Sequence, residues 1–169
     1  MALPAKLKNF NLFNDGQNYI GQVEEIVLPK LTAKMEEWRG GGMDVPVDID
    51  FGMEKMTMEW TVGGFDPQVF RQFGSMTHGS FGLRFAGAVQ SDDVAEVKAL
   101  EIVVRGRHSE IDMGTAKAGE DTKKKITTSL SYYKLTLNGE ELIEIDAINL
   151  IKRIGGNDLS QGIRAALGL

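Results

Sequence analysis

The sequence predicts a mainly β fold with two short helices. Apolar and polar residues alternate along Val45 to Phe51 and again along Met56 to Val62, and this period of two is typical of strands with unlike faces. Asp15-Gly16 and Asn138-Gly139 supply the positive backbone angles that tight hairpins need. The chain has 20 glycines but only 4 prolines, which indicates many turns rather than a flexible linker.

The first third of the chain reads as short strands separated by turns. The strand candidates before the alternating segments are Phe10 to Phe13, Tyr19 to Val23 and Val23 to Leu28. Pro29 ends the last of these because proline cannot donate to a sheet ladder. Thr32 to Trp38 is compatible with either a helical turn or a strand. We interpret Val45 to Val62 as a pair of strands that follows the flexible Gly40 to Gly42 loop.

One short helix is well marked. Asp66 is a favourable N-cap and Pro67 suits the first helical position. Phe70 and Phe73 fall on one helical face, and Gly74 ends the helix. The sequence therefore predicts one short helix between Asp66 and Gly74.

The second half of the chain predicts further strands and a terminal helix. The strand candidates are Phe81 to Phe85, Val97 to Val104, Ile126 to Leu137 and Leu142 to Ile145. Leu159, Ile163 and Leu167 recur at intervals of four, which predicts a short amphipathic C-terminal helix. At 169 residues, we expect one domain that spans residues 1–169.

The sequence offers little reactive chemistry. The net charge of −5 argues against the broad basic surface of a nucleic-acid-binding protein. The chain has no cysteine, so thiolate metal sites and disulfides are impossible. His78 and His108 are the only histidines, neither has a metal-ligand spacing, and we expect both in loops. We therefore predict no catalytic, cofactor-binding or metal-binding residues.

Two carboxylates leave an alternative open. Asp48 and Asp50 share one face of a predicted strand, about 6.6 Å apart along it. Carboxylates at such a distance can hydrolyse glycosides, so a carbohydrate-binding or hydrolysing β-sandwich is an alternative function. That alternative requires an aromatic cleft, to which Trp60 would contribute. A monomeric β interaction module is a further possibility.

An ordered set of short segments carries a family resemblance. In chain order they are Asn11-Leu12-Phe13-Asn14-Asp15-Gly16, Leu28-Pro29-Lys30-Leu31, Arg39-Gly40-Gly41-Gly42-Met43-Asp44 with Pro46-Val47, Arg84-Phe85, Arg105-Gly106-Arg107 with Glu110-Ile111-Asp112, Ser131-Tyr132-Tyr133-Lys134-Leu135, Glu144-Ile145-Asp146 with Asn149, and Leu167-Gly168-Leu169. The chain resembles the major tail tube protein of contractile-tailed bacteriophages, which is similar to the tube protein of R-type bacteriocins. The resemblance extends from about Leu7 to Leu169.

The resemblance implies a fold, a role and partners. It implies two packed sheets, or a barrel-like β domain, with a short flanking helix, in a structural subunit that is not an enzyme and needs no cofactor. Such subunits form stacked hexameric rings around a hollow conduit for DNA delivery or envelope puncture, inside a contractile sheath. The implied partners are other copies of the chain, the tail sheath, baseplate and tail terminator proteins, and genome DNA that passes without specific binding. The implied location is the virion tail or a phage-tail-like particle, after synthesis in the bacterial cytoplasm.

Within that reading, the alternating segments predict the assembly surfaces. Pro46 favours an edge position for the first strand, and exposed edges can pair with another chain. The predicted subunit-interface residues are Val47, Ile49, Phe51, Met56 and Met58, although the same residues could instead fill the subunit's own core. A channel that passes DNA should be acidic, and the lumen-facing candidates are Asp48, Asp50 and Glu59.

Overall fold

The computed structural model describes all residues from Met1 to Leu169. Most of the chain is strand, with two helices of 6 residues each. The strands are β1 Lys6–Asn14, β2 Gln17–Asn18, β3 Val23–Val27, β4 Ala33–Trp38, β5 Val47–Met53, β6 Thr57–Val62, β7 Phe81–Gln90, β8 Val97–Asp112, β9 Lys124–Leu137, β10 Glu140–Asp146, β11 Ile151–Ile154 and β12 Asn157–Asp158. The helices are α1 Pro67–Gln72 and α2 Gln161–Ala166. The mainly β class with a flanking and a C-terminal helix is confirmed.

Ten strands form one curved, antiparallel sheet. Its main path runs β12-β11-β10-β9-β8-β7-β1-β2, and β6 and β3 branch from the first half of β9. The β2 end of the main path curves towards the β6 branch, because the ring of Tyr19 beyond β2 lies 5.9 Å from the ring of Trp60 in β6. The sheet is therefore barrel-like. The remaining strands, β4 and β5, pair only with each other.

The core fills the concave side of the sheet. Alternate residues of β7, namely Phe81, Leu83 and Phe85, are buried while their neighbours are half-exposed. Met58 and Trp60 of β6 alternate in the same way. A single cluster of 15 buried apolar residues joins these strands to β1, β8, β9 and β10. The period of two therefore separates a packed face from an outer face.

The predicted turns and the helix cap form as their sequences indicate. Asp15 and Gly16 have φ values of 50° and 86°, and they join the paired residues Asn14 and Gln17. Asn138 and Gly139 have φ values of 52° and 86° between β9 and β10. At the start of α1, Asp66 accepts a hydrogen bond of 3.1 Å from the backbone N–H of Gln68.

Three details differ from the sequence-based expectation or resolve it. Thr32 to Trp38 contains strand β4 rather than a helical turn. The predicted strand Tyr19 to Val23 is mostly turn, because the hairpin partner of β1 is only Gln17–Asn18. The pairing of the two alternating segments was wrong: β5 pairs with β4, whereas β6 pairs with β3 and β9. Alternation predicts strands well, but it does not identify their partners.

The Asn138-Gly139 turn provides a test of the fold. A Cβ at Gly139 would meet no atom within 4 Å, so the cost of Gly139→Val is backbone strain at φ +86°. We expect a loss of about 1–3 kcal/mol and a lower melting temperature, measured by circular dichroism. Gly41→Val is the control, because its site is equally open and has no positive φ. Equal melting temperatures for the two variants would contradict the prediction.

Candidate assembly surface

The β4–β5 hairpin forms an arm, residues 33–53, that projects from the main sheet. Every residue of β4 is exposed, and in β5 only Met53 is partly buried. Met53 packs against the core, and the backbone N–H of Glu54 donates a hydrogen bond of 2.8 Å to the carbonyl of Thr32. These contacts fix the base of the arm, while the seven residues of β5 extend it by about 20 Å.

The two faces of the arm differ sharply in chemistry. Trp38 lies opposite Val47 in the ladder, and Ile49 and Phe51 continue the same face. These four side chains are between 41% and 58% exposed. The opposite face carries Asp48, paired in register with Glu37, and Asp50, paired with Met35. Glu36 lies opposite Ile49, so the arm presents one mainly apolar face, interrupted by Glu36, and one predominantly acidic face that also carries Met35.

We expect an arm of this kind to have low stability by itself. A two-stranded hairpin is marginally stable in water unless a further strand or a packed surface covers it. The apolar face of this arm touches no other element of its own subunit closely enough to bury Trp38, Val47 or Phe51. Contiguous exposed apolar surface of this kind marks an interaction site.

Two of the predicted interface residues belong to the core instead. Met56 is 5% exposed and Met58 is 1% exposed, and both lie in the main apolar cluster. Because both side chains are packed in the subunit's own core, they offer no surface to another subunit. Their assignment to the interface was wrong. Val47, Ile49 and Phe51 remain interface predictions, now on the arm.

The predicted lumen residues do not form one surface. Asp48 and Asp50 lie on the arm, whereas Glu59 lies on β6 in the main sheet. The carboxylate of Glu59 is 3.1 Å from the ammonium of Lys125 on the neighbouring strand. The structure therefore brings the first two together and leaves the third in a separate ion pair.

Two further apolar patches are exposed. The α1 patch comprises Phe65, Phe70, Phe73 and Met76, of which Met76 is 93% exposed. The C-terminal patch comprises Leu159, Ile163, Leu167 and Leu169, each at least 56% exposed. No residue of α2 is buried. Arg164 holds this helix in place by binding Asp158 and the carbonyl of Leu150.

A network of buried and half-buried side chains ties α1 to the sheet. Thr128 Oγ1 accepts from Trp60 Nε1 at 3.2 Å and lies 3.0 Å from His108 Nδ1. His108 Nε2 lies 3.1 Å from the side-chain oxygen of Gln72, which exchanges two hydrogen bonds of 2.8 Å with Asn14. The network thereby links α1 to strands β1, β6, β8 and β9.

The network fixes the protonation of His108. Trp60 can only donate, so the Thr128 hydroxyl is free to donate to His108 Nδ1. The proton of the neutral imidazole then lies on Nε2 and is donated to Gln72. Burial lowers the pKa of His108 to about 4. The expectation that His108 lies in a loop was wrong, because it continues the inward-facing alternation of Ile102 and Val104 in β8. The sequence signal for an inward-facing His108 is this alternation, continued beyond Arg105.

The alternative carbohydrate site lacks its aromatic partner. Trp60 is 1% exposed and donates its N–H to Thr128, so it cannot line a cleft for a sugar. Asp48 and Asp50 stand on the open arm rather than in a concave site. No group of three or more histidine, aspartate or glutamate side chains is arranged to hold a metal ion. No helix has the length and apolar composition needed to cross a membrane.

Comparison with known proteins shows what the whole chain is similar to. Residues 4–168 match the family described as phage tail tube protein FII. The chain is 43% identical to the tail tube protein of Escherichia phage P2 over 172 residues, with full coverage of both chains. It is 38% identical to the major tail tube protein of Serratia phage KSP20, with coverage of 100% and 99%.

A solved structure is similar in fold. It is a chain of the PVC sheath/tube terminator, in the extended state, of an extracellular contractile injection system. The TM-score is 0.60 at 9% identity, and the match covers 79% of this chain and 96% of that one.

The buried histidine predicts a specific response to acid. Between pH 6.5 and about 4, the unfolded chain binds a proton at His108 that the folded chain does not bind. The free energy of unfolding should therefore fall as the pH falls through this window, by up to roughly 3 kcal/mol from this residue. Carboxylates titrate nearby, so the comparison is between variants: urea unfolding of His108→Gln should depend less on pH than that of wild type. His78→Gln, at an exposed loop histidine, is the control. An unchanged pH dependence in His108→Gln would contradict the account.

Proposed function

The chain belongs to the phage tail tube protein FII family, and we propose that its copies assemble into stacked hexameric rings around a hollow channel. The protein is a structural tail tube subunit and a component of the virion tail. The relatives it matches along its whole length are tail tube proteins. We propose that the chain performs no catalysis and needs no cofactor, because its work is mechanical.

The apolar face of the arm carries the assembly proposal. Trp38, Val47, Ile49 and Phe51 need a partner surface, and their own subunit does not supply it. We propose that the partner is a neighbouring copy of the chain. The α1 patch and the C-terminal patch are exposed apolar surfaces to which an arm could bind.

If the arm of one subunit binds a different surface of the next subunit, the same contact can be repeated to build a tube. A contact between two different surfaces of identical subunits is heterologous, and repetition of it produces a closed ring or an open filament. The open edges of β4 and β5 could add backbone hydrogen bonds to the contact. We propose that such contacts close the rings, stack them, or do both.

The other proposed partners follow from the proposed role as a tail tube subunit. The fold is similar to that of a sheath/tube terminator chain from a contractile injection system. We propose that the tube lies inside a contractile sheath, begins at baseplate proteins and ends at a terminator. We further propose that genome DNA passes through the channel without specific binding, after the subunits have been made in the host cytoplasm. If the particle is bacteriocin-like, the same tube would puncture an envelope instead.

Labelling of particles tests the assignment directly. Antibodies raised against the purified chain should decorate tubes that protrude from contracted tails, as seen by negative-stain electron microscopy. Intact extended tails, whose tubes are covered, serve as the control and should bind antibody only at exposed ends. Label on the sheath exterior or the capsid, with bare tubes, would contradict the proposed function.

Substitution of the arm tests the assembly surface. Ile49→Lys places a charge on an exposed arm residue, so we expect near-native circular dichroism and melting but no tubes by electron microscopy. Ile49→Leu keeps the apolar face and should assemble. Met58→Lys places an unpaired charge in the core and should cost several kcal/mol, which abolishes cooperative unfolding. Formation of normal tubes by Ile49→Lys would show that the arm is not part of the interface between subunits.

A further inference from the structure

A small cavity lies between α1 and the main sheet. Its walls are mainly apolar and come from β6, α1, β8 and β9, through Val62, Val69, Ile111 and Ile126. The centre of a water-sized sphere can occupy about 10 Å³ of this space. That volume is close to the smallest that holds one water molecule.

Two charged side chains line the same cavity. Asp66 is 7% exposed and Lys124 is 6% exposed, so both are buried. Asp66 Oδ1 accepts from the backbone N–H of Gln68, but Asp66 Oδ2 is shielded from solvent and has no hydrogen-bond partner in the protein. The ammonium of Lys124 donates to the carbonyl of Thr122 at 3.2 Å and lies 4.5 Å from the centre of the Phe65 ring. An ammonium has three donors, so this one retains donors for a further partner.

The unpartnered oxygen of Asp66 destabilises the fold unless something in the cavity binds it. A buried acceptor that has lost its hydrogen bonds to water is costly, and an ionised acceptor is the most costly. Asp66 and Lys124 form no direct ion pair, since none of their nitrogen–oxygen distances is within 4.0 Å. Burial and the nearby carboxylate of Asp66 raise the pKa of Tyr19, but the hydroxyl of Tyr19 forms no hydrogen bond with Oδ2. The protein itself therefore supplies no donor to this oxygen.

The cavity lies where α1 needs an anchor. Val69 is the only buried residue of this helix, so apolar packing alone holds it weakly. The C-terminal end of α1 is tied to the sheet through Gln72 and His108. At the N-terminal end, the groups that face each other across the cavity are Asp66, which caps the helix, and Lys124 in β9.

We propose that the cavity binds one water molecule, which donates a hydrogen bond to Asp66 Oδ2 and accepts one from the ammonium of Lys124. This bridge anchors the N-terminal end of α1 to β9, as Gln72 anchors its C-terminal end. The two anchors together fix the position of the α1 patch before any partner binds. The inference goes beyond the proposed function, because it concerns the free subunit and requires no tube.

The chemistry of the two side chains selects water over other occupants. The ligand must donate to a carboxylate and accept from an ammonium at the same time, and a water molecule does both. A metal cation binds carboxylates, but the ammonium of Lys124 repels it within so small a cavity. Cavities that remain dry are apolar, whereas this one contains a carboxylate oxygen without a donor.

A crystal structure of the free subunit, at a resolution that shows ordered water, tests the site directly. We expect one density peak within about 2.6–3.2 Å of both Asp66 Oδ2 and Lys124 Nζ. An empty cavity, a direct contact between the two side chains, or a bound ion in place of water would overturn the proposal.

A double-mutant cycle tests the bridge in solution. Asp66→Asn and Lys124→Met each disrupt one end of it, so their effects on the melting temperature should overlap. We expect the double variant to lose about 2–4 °C less than the sum of the two single losses. The matched control is Lys125→Met, because Lys125 pairs with Glu59 and does not line the cavity. Its effect should add to that of Asp66→Asn.

Hydrogen exchange tests the anchoring of α1. The backbone N–H of Phe73 donates to the carbonyl of Val69 at 3.2 Å and reports on the helix. This amide should exchange faster in Lys124→Met than in Lys125→Met. Equal exchange rates in the two variants would show that the bridge does not hold α1.

Tyr19→Phe distinguishes water from the other donor near Asp66. Stronger coupling of Asp66→Asn to Tyr19→Phe than to Lys124→Met would mean that the hydroxyl of Tyr19 satisfies Oδ2, and would overturn the proposal. Additive losses for Asp66→Asn and Lys124→Met, or equal coupling to Lys125→Met, would also overturn it. All of these measurements use free subunits, so failure of the water site and failure to form tubes are separate results.

Discussion

The apolar face of the arm has no partner in its own subunit, and the rest of the molecule can be understood from that constraint. A two-stranded hairpin that exposes Trp38, Val47, Ile49 and Phe51 gains stability only when another surface covers it. The subunit can therefore fold with its main sheet complete while its assembly element is still incomplete. In the proposed assembly, a neighbour buries apolar area that folding leaves exposed, and the hydrophobic effect is available to drive the association. We therefore propose that the arm physically connects folding with tube formation.

The body of the subunit provides the rigid support that such an arm needs. The sheet curves so that Tyr19 packs against Trp60, and the side-chain network from Trp60 through Thr128 and His108 to Gln72 fixes α1 against it. Buried polar networks of this kind rigidify a core when every member is satisfied. The α1 patch thus has a defined position relative to the base of the arm. A neighbouring subunit that binds both surfaces would find them in a fixed geometry.

The sequence predicted the elements more reliably than their partners. Alternation identified the strands, and Asn138-Gly139 identified its hairpin because the turn chemistry is local. Ile49 and Met58 illustrate the limit: both are apolar residues in well-alternating segments, yet one is 41% exposed and the other 1% exposed. The difference depends on β6 pairing with β9, some 70 residues away along the chain, and no local pattern encodes that choice. The role of His108 was missed for a related reason: the alternation along β8 indicates that it faces inward, but its two polar partners, Thr128 and Gln72, come from β9 and α1, far away in the sequence.

Amide hydrogen exchange compared between free subunits and assembled tubes tests most directly the claim that the arm is completed by a neighbour. The account predicts that amides of β4 and β5 exchange rapidly in the free subunit and become strongly protected in tubes. Amides at the centre of β8 and β9 should be protected in both states, which controls for global unfolding. Equal protection of the arm in the free subunit, or an arm that stays unprotected in tubes, would contradict the account.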